Sequence, residues 1–344
     1  MTIHLSRRFA GNIPDADLKA ALCSTIDALC IAAIEISDLC ALGPLAEGLG
    51  AVTGDENADG DTQKELDVQS DEIIKRVLQK VPVAYYASEE EEGVNTFDPN
   101  GPISVAADPL DGSSNIDTNV SIGTIFSIFQ TVPGKPEASF YRRGEEQLVG
   151  GFFVYGPQTT LIMTAGDGVE LYALDPKARK FVLADPEVRL AENKCEYGIN
   201  ASNARHWLRP IRNFIEDCVA GTTGPLRADY NMRWVGSLVA DASRILSRGG
   251  LFLYPGDGRK GYENGRLRQL YEANPVSFVI EQAGGSATDG SKRILDQNLS
   301  DLHQRVPFVF GSKEQVRLVA RYHDRPGFLG SRAPLFAPRG LFRK

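Results

Sequence analysis

A short apolar segment that runs directly into two aspartates limits the folds open to this chain. Residues 103–107 (Ile-Ser-Val-Ala-Ala) are typical of a buried strand, and residues 108–111 (Asp-Pro-Leu-Asp) follow at once. Pro109 fixes φ and favours an extended Asp108, so we expect the chain to turn there and to continue as neither strand nor helix. The pattern predicts an α/β protein with both carboxylates at the end of a buried strand.

The residues after the second aspartate are suited to hold phosphate. Gly112 permits close backbone approach, and Gly112-Ser113-Ser114-Asn115 suits a helix start whose free N–H groups form an anion site. Carboxylate oxygens beside such an anion site are what Mg²⁺-assisted phosphoryl chemistry requires. A structural turn with a helix cap is the alternative. The preceding strand, the proline and the Gly-Ser-Ser sequence together favour the metal–phosphate interpretation.

A second predicted strand also ends in acidic residues. Residues 83–88 (Val-Ala-Tyr-Tyr-Ala-Ser) have strand character and run into four glutamates that begin at Glu89 and Glu90. A charge run is usually solvated surface. If this strand neighbours residues 103–107, however, Glu89 and Glu90 lie beside Asp108 and Asp111, and four adjacent carboxylates repel unless cations hold them together. The spacing therefore predicts a metal site.

Composition restricts the function classes. The 344 residues carry a net charge of −8, which argues against non-specific nucleic-acid binding. The five cysteines are odd in number and show no C-x-x-C, so we expect reduced thiols in a cytoplasmic protein. We find no signal-peptide pattern and no uncharged apolar stretch of about 18 residues, so no membrane segment is expected.

The rest of the chain predicts two subdomains. Residues 15–17 (Asp-Ala-Asp) open a long amphipathic helix that Gly43-Pro44 ends, and residues 48–61 resemble a mobile acidic loop. The pattern loosens around residues 185–197, so we place the subdomains at 1–190 and 191–344. Residues 259–268 hold four basic side chains that could clasp phosphate, and a solvated loop is an equal alternative.

Taken together, the motifs resemble those of class 1 fructose-1,6-bisphosphatases, in order from about Leu18 to Ser312. The wider superfamily of lithium-sensitive phosphatases, such as inositol monophosphatase, has a similar core. The segments that carry the resemblance are Thr53-Gly54, Lys64-Glu-Leu-Asp-Val68, Ser88-Glu-Glu90, Asp108-Pro-Leu-Asp-Gly-Ser-Ser-Asn-Ile-Asp117, Ser121-Ile-Gly-Thr-Ile-Phe126, Val235-Gly-Ser-Leu-Val-Ala-Asp241, Phe252-Leu-Tyr-Pro255, Leu270-Tyr-Glu-Ala-Asn-Pro275, Glu281-Gln-Ala-Gly-Gly285 and His303-Gln-Arg305.

The resemblance implies a layered α-β-α-β-α sandwich, usually a homotetramer, that hydrolyses the 1-phosphate of fructose 1,6-bisphosphate. It implies two or three Mg²⁺ ions, with Mn²⁺ as a possible substitute, and Asp67 with Glu90 as the groups that take a proton from water. The implied metal ligands are Glu89, Asp108, the carbonyl of Leu110, Asp111, Glu272 and, when its loop closes, Asp61. The implied substrate contacts are Asp111, Gly112, Ser113, Ser114, Asn200, Asn203, Tyr254, Arg266 and, from a neighbouring subunit, Arg233.

The chain departs from the family pattern around the sugar. Arg266 stands where many members have lysine, and Trp234 and Asn203 each stand where tyrosine is common. A slightly longer sugar, such as sedoheptulose 1,7-bisphosphate, then becomes a candidate substrate. The start of the first helix lacks the Gly-Thr-Gly-Glu-type loop of AMP-inhibited members, so we expect weak or no AMP inhibition. The alternatives are an inositol- or nucleotide-phosphate phosphatase of the same superfamily, a non-catalytic sugar-phosphate sensor and an acidic scaffold.

Overall fold

The elements below come from a computed structural model, which describes residues 13, 15–45, 52–56, 62–192 and 194–324. The helices of this part of the chain are α1 (Ala16–Leu42), α2 (Glu65–Leu78), α3 (Arg209–Val219), α4 (Leu238–Arg248), α5 (Asn274–Gln282) and α6 (Lys313–Asp324). The strands are β1 (Val52–Glu56), β2 (Thr62–Lys64), β3 (Val83–Ser88), β4 (Val94–Thr96), β5 (Ile103–Asp111), β6 (Ile122–Gln130), β7 (Val149–Tyr155), β8 (Thr159–Thr164), β9 (Glu170–Asp175), β10 (Lys180–Asp185), β11 (Glu196–Ile199), β12 (Asn231–Met232), β13 (Leu251–Tyr254), β14 (Leu267–Arg268), β15 (Ser286–Thr288), β16 (Arg305–Val306) and β17 (Phe308–Gly311).

Two large sheets organise these elements. The first has eight strands in the order β10-β9-β8-β7-β6-β5-β3-β4, in which β3 and β5 are parallel and the other neighbours are antiparallel. The second has five strands in the order β12-β11-β13-β17-β15. In addition, β1 pairs with β2 and β14 pairs with β16.

Apolar cores separate the layers. Helices α1 and α2 cover one face of the eight-stranded sheet, with Leu29 and Ile74 among the buried contacts. Helices α4 and α5 fill the space between the two sheets, where Val239 packs in the same core as Phe252 and Phe310. Helices α3 and α6 cover the far face of the five-stranded sheet. The order of layers is α-β-α-β-α, which confirms the predicted sandwich.

Strand β5 differs from the prediction at Pro109. It continues through the proline to Asp111, whereas we expected a turn. Asp108 pairs with Ile125 and Asp111 with Gly123, so β5 uses one residue more than β6 over this span, which is a β-bulge. A bulge can accommodate proline, which has no N–H to donate to the hydrogen bonds between strands. The predicted helix start is a short 3-10 helix, Ser113–Thr118.

Helix α1 begins as predicted, because the Asp15 carboxylate accepts hydrogen bonds from the backbone N–H groups of Asp17 (2.9 Å) and Leu18 (3.2 Å). By length and composition it is long and apolar enough to cross a membrane, but 56% of its most apolar window is buried inside the fold, as in a core helix. The predicted mobile loop was wrong in part, since residues 52–56 form β1; residues 48–51 and 57–61 lie outside the described ranges.

Candidate active site

Parallel pairing of β3 and β5 places the two acidic strand ends side by side. Ser88 lies opposite Ala107, and the Glu89 N–H donates a hydrogen bond to the Ala107 carbonyl at 3.0 Å. Because strands that run in the same direction end at the same edge, Glu89 follows β3 next to Asp108. The geometry on which the sequence prediction of a carboxylate cluster depended is therefore present.

Three carboxylates meet in a buried centre. One oxygen from each of Asp108, Asp111 and Glu272 lies within 4.8 Å of the others. All three side chains are buried. The first two belong to the bulged end of β5, and Leu110 lies between them with its N–H donating to Asp108 Oδ1 at 3.0 Å. Glu272 comes from a π-helical turn, Gln269–Ala273, that leads directly into α5.

This centre disfavours ionisation. Burial raises the pKa of Asp108 well above its ordinary value, and the neighbouring Glu89, Asp111 and Glu272 raise it further. Burial and the neighbouring Glu89 also raise the pKa of Glu272 well above its ordinary value. Burial also raises the pKa of Asp111 to about 7, although hydrogen bonds from Val239 and Ser237 oppose the rise. Additional positive charge would allow all of these groups to ionise together.

The donor atoms fit a divalent cation. Glu89 pairs through Oε1 with the guanidinium of Arg268, while its buried Oε2 has no hydrogen-bond partner in the described part of the chain. Arg268 also donates its backbone N–H to Glu272 Oε2 at 2.5 Å. Hard carboxylate oxygens that converge in a dry site are the ligands that Mg²⁺ and related ions prefer. Arg268, which we considered for phosphate binding, instead belongs to this acidic centre.

The glycine–serine segment is anchored across the fold. Gly112 has φ +82°, and a Cβ added there would lie 2.8 Å from the Ser237 Cβ, so glycine is required. Asn115 donates from Nδ2 to the Gly236 carbonyl at 2.8 Å. Ser113 is half-buried and Ser114 is exposed, which leaves this segment accessible to a ligand. The segment is thus held against the loop that precedes α4.

Asp111 is fixed by the same loop. Its Oδ2 accepts hydrogen bonds from Ser237 Oγ (3.0 Å) and from the N–H of Val239 in the first turn of α4 (2.8 Å). Asp241 accepts from the N–H groups of Val235 and Gly236 at 3.1 to 3.3 Å and so shapes the loop. The partners of Asp111 were missed, because a hydrogen bond over more than 120 residues leaves no local signal in the sequence.

The two predicted proton acceptors lie on adjoining elements. Asp67 is buried in the first turn of α2. Glu90 is half-buried just after β3, and its N–H donates to Ser88 Oγ at 3.2 Å. Ser88 in turn donates to Asp71 of α2 at 2.7 Å, so α2 and the turn after β3 are joined.

A cleft of about 330 Å³ gathers the predicted sugar-binding residues. Asn200, Asn203, Tyr254 and Arg266 all line it. The pKa of Tyr254 is raised mainly by burial; the charge of Arg266 lowers it, and the charge of Glu272 in the acidic centre raises it. The cleft is also lined by Arg259, one of the four basic residues considered for phosphate binding, and by Asp257 and Tyr262, to which sequence reasoning gave no role.

Aromatic stacking organises the basic side of the cleft. The Arg259 guanidinium lies 4.1 Å and that of Arg266 5.2 Å from the centre of the Tyr262 ring. Arg266 also donates from Nη1 to the Tyr262 hydroxyl at 3.1 Å, and Arg259 donates from Nη2 to Asn203 Oδ1 at 3.2 Å. Trp234 packs behind the cleft, stacked on Phe252 with ring centres 5.4 Å apart.

One predicted substrate contact, Arg233, does not line the cleft. Arg233 is exposed after β12 and is not among the residues that line the cleft of its own chain. It lines a separate recess of about 220 Å³ together with Glu196 and Arg244. Asp61 lies outside the described residues.

Comparisons with known proteins agree with this geometry. The family model "Fructose-1-6-bisphosphatase, N-terminal domain" matches residues 11–186, and "Fructose-1-6-bisphosphatase, C-terminal domain" matches residues 190–324. The chain is 53% identical to the class 1 fructose-1,6-bisphosphatase of Rhodopseudomonas palustris strain BisB18 over 327 residues, which are 95% of this chain and 94% of that protein. It is 51% identical to the Bradyrhizobium diazoefficiens protein of that description over 338 residues, covering 98% and 96% of the two chains.

A solved structure is also similar. The crystal structure of Leishmania major fructose-1,6-bisphosphatase in holo form superposes with a TM-score of 0.86 at 33% identity, covering 94% of this chain and all of that one. The layered fold and its buried acidic centre define a phosphatase of the sugar-phosphatase type. The chain belongs to the class 1 fructose-1,6-bisphosphatase family. The predictions of family and of a phosphatase enzyme are confirmed.

Proposed function

We propose that this enzyme hydrolyses the 1-phosphate of D-fructose 1,6-bisphosphate to fructose 6-phosphate and phosphate, with Mg²⁺ as cofactor. The observation that carries the proposal is the juxtaposition of the buried Asp108–Asp111–Glu272 centre with the cleft lined by Tyr254 and Arg266. One site suits metal-assisted phosphoryl transfer, and the other suits a sugar that carries a second phosphate.

The carboxylates of Glu89, Asp108, Asp111 and Glu272, together with the Leu110 carbonyl, would hold two or three Mg²⁺ ions, and Asp61 would join them in the closed state. When bound, these ions lower the pKa of a water molecule and neutralise charge on the phosphate and the leaving oxygen. Mn²⁺ is the expected substitute, because it accepts the same oxygen ligands.

The other residues bind substrate and move a proton. The N–H groups of Gly112, Ser113 and Ser114 would hold the 1-phosphate in line for attack. Asp67 and Glu90 would accept the proton of the attacking water. The remaining substrate contacts would be made by Asn200, Asn203, Tyr254 and Arg266, with the guanidinium placed to bind the distal phosphate.

We also propose a cytoplasmic homotetramer without nucleic-acid or membrane partners. Arg233 supports the assembly, because it is exposed outside its own cleft and could reach the cleft of a neighbouring subunit. Light scattering should then give four times the 37.5 kDa chain mass. A monomer that retains full activity would contradict the role of Arg233.

Phosphate release by purified protein tests the reaction. The substrates are fructose 1,6-bisphosphate, sedoheptulose 1,7-bisphosphate and inositol 1-phosphate, each with Mg²⁺, with Mn²⁺ and with EDTA. We expect EDTA-sensitive turnover of fructose 1,6-bisphosphate that Asp108→Asn abolishes and that Asp17→Asn, an exposed control in α1, retains. Preference for the seven-carbon sugar would keep the mechanism and change the substrate. Preference for inositol phosphate would contradict the proposal.

A further inference from the structure

One face of helix α2 carries two charged residues to which the proposed mechanism gives no role. Asp67, Asp71 and Lys75 follow each other at intervals of four, so they lie along one side of the helix. Asp71 is buried with only 3% of its surface exposed. A charged side chain is expensive to bury unless it is paired, so its partners indicate what it does.

The partners of Asp71 belong to the strand that leads into the acidic centre. Its Oδ1 accepts hydrogen bonds from the Tyr86 hydroxyl at 2.8 Å and from the Ser88 hydroxyl at 2.7 Å. Because the Ser88 hydroxyl donates to Asp71, its oxygen is available to accept the N–H of Glu90, at 3.2 Å. A continuous chain of hydrogen bonds thus runs from α2 to the backbone of Glu90.

Lys75 forms a second connection between α2 and the turn after β3. Its Nζ lies 2.9 Å from Asp71 Oδ2 and 2.7 Å from Glu91 Oε1. The Glu91 carbonyl is in addition 3.0 Å from His303 Nε2. Lys75 also pairs with the exposed Glu72 of its own helix. Because the Lys75 side chain is only 15% exposed and Asp71 is buried, water screens the Lys75–Asp71 pair less than it screens a surface pair.

We infer that Asp71 and Lys75 are positioning residues that hold the turn Ser88–Glu91 against α2 and thereby set Glu90 relative to Asp67. We name this pair the α2 clamp. The inference rests on the proposed function in taking Asp67 and Glu90 as the acceptors of the water proton. Proton transfer in the transition state is more sensitive to the position of Glu90 than substrate binding is. Loss of the clamp should therefore lower kcat and leave KM nearly unchanged.

The decisive variants are Lys75→Met, which keeps the aliphatic stem but removes the charge, and Lys75→Arg, which keeps the charge. Lys80→Met, at an exposed lysine just beyond α2, is the matched control. With fructose 1,6-bisphosphate we expect Lys75→Met to lower kcat by roughly 10- to 100-fold with KM within about threefold. Lys75→Arg should recover most of the rate, and Lys80→Met should match the parent.

A purely structural role predicts a different result. In that case Lys75→Met would lower the melting temperature while the folded protein kept its full kcat, and this outcome would overturn the inference. A variant that changes only KM would overturn it as well. Asp71→Asn should repeat the kcat effect, and if that variant does not fold, Lys75→Met decides. Each assay is run at a temperature where circular dichroism shows a folded protein.

Amide hydrogen exchange separates this inference from the proposed function. If the parent protein turns over no sugar bisphosphate, the proposed function fails, and the clamp is judged by exchange at Glu89, Glu90 and Glu91. Lys75→Met should accelerate exchange at these amides at least about tenfold relative to Lys80→Met, because opening of the turn no longer breaks the ion pairs. Unchanged exchange would show that the clamp does not hold the turn.

Discussion

Replacement of Asp111 by asparagine should stabilise the protein in EDTA at pH 8 and at the same time abolish phosphate release. The variant preserves shape, and its amide oxygen can still accept the hydrogen bonds from Ser237 and Val239. It removes one negative charge from a centre where another carboxylate oxygen lies within 4.8 Å. The charge is needed for cation binding and is unfavourable without a cation.

The size of the effect follows from the pKa of Asp111, which rises from 3.8 to about 7 on folding. A pKa difference of one corresponds to ~1.36 kcal/mol, so this group accounts for about 4 kcal/mol. The sign is set by proton binding. Between pH 4 and pH 7 the folded protein holds a proton on Asp111 that the unfolded chain has released, so the free energy of unfolding falls as pH rises and the loss is complete above pH 7.

Urea unfolding in EDTA at pH 4.5 and pH 8 measures the difference. We expect the parent and Asp111→Asn to be similar at pH 4.5 and the variant to be more stable at pH 8 by up to about 4 kcal/mol. Added Mg²⁺ should stabilise the parent by about 2.7 kcal/mol at 100 times its dissociation constant and the variant much less. A variant that is less stable than the parent at pH 8 in EDTA would refute the argument from charge repulsion.

Three further substitutions probe the surroundings. Gly112→Ala should destabilise the fold by about 2 kcal/mol in urea and lower kcat, because φ is +82° and the new Cβ meets Ser237; an unchanged free energy of unfolding would contradict this. Arg268→Met should cost about 3 kcal/mol in EDTA at pH 8, opposite in sign to Asp111→Asn, since it leaves Glu89 buried without its cation; a gain in stability would refute the pairing. Arg266→Ala should raise KM for fructose 1,6-bisphosphate about tenfold with little change in kcat or melting temperature, and initial rates test whether KM moves.

Elements with strong local signals were predictable from sequence. The strand Val83–Ser88 has the predicted bounds, and α1 begins within the predicted opening at residues 15–17. Each joins a β-branched, aromatic or periodic apolar run to a clear stop or cap. Strand β5 was underpredicted, because a bulge that accommodates Pro109 depends on its pairing with β6 rather than on the local sequence.

The site was predictable only as far as neighbouring strands could define it. Two strand ends followed by acids located Glu89, Asp108 and Asp111 together before any family was considered. Glu272 follows Asp111 by more than 150 residues and lies on a π-helical turn, so only resemblance pointed to it. The pairing of Arg268 with Glu89 was not foreseen, because a basic residue in an acidic chain gives no sign of which anion it meets.

The acidic centre joins the two stretches of chain that the family models match separately. Glu89, Asp108 and Asp111 belong to the first stretch, whereas Glu272 and Arg268 belong to the second. Hydrogen bonds and the Arg268–Glu89 ion pair cross this boundary at the acidic centre in addition to the like charges. Without a cation, attraction and repulsion therefore oppose each other there. A cation held by carboxylates from both stretches changes the repulsive contacts into attractive ones. Cation binding and packing between the stretches are therefore thermodynamically linked: a bound cation strengthens the packing, and a substitution that loosens the packing weakens cation binding.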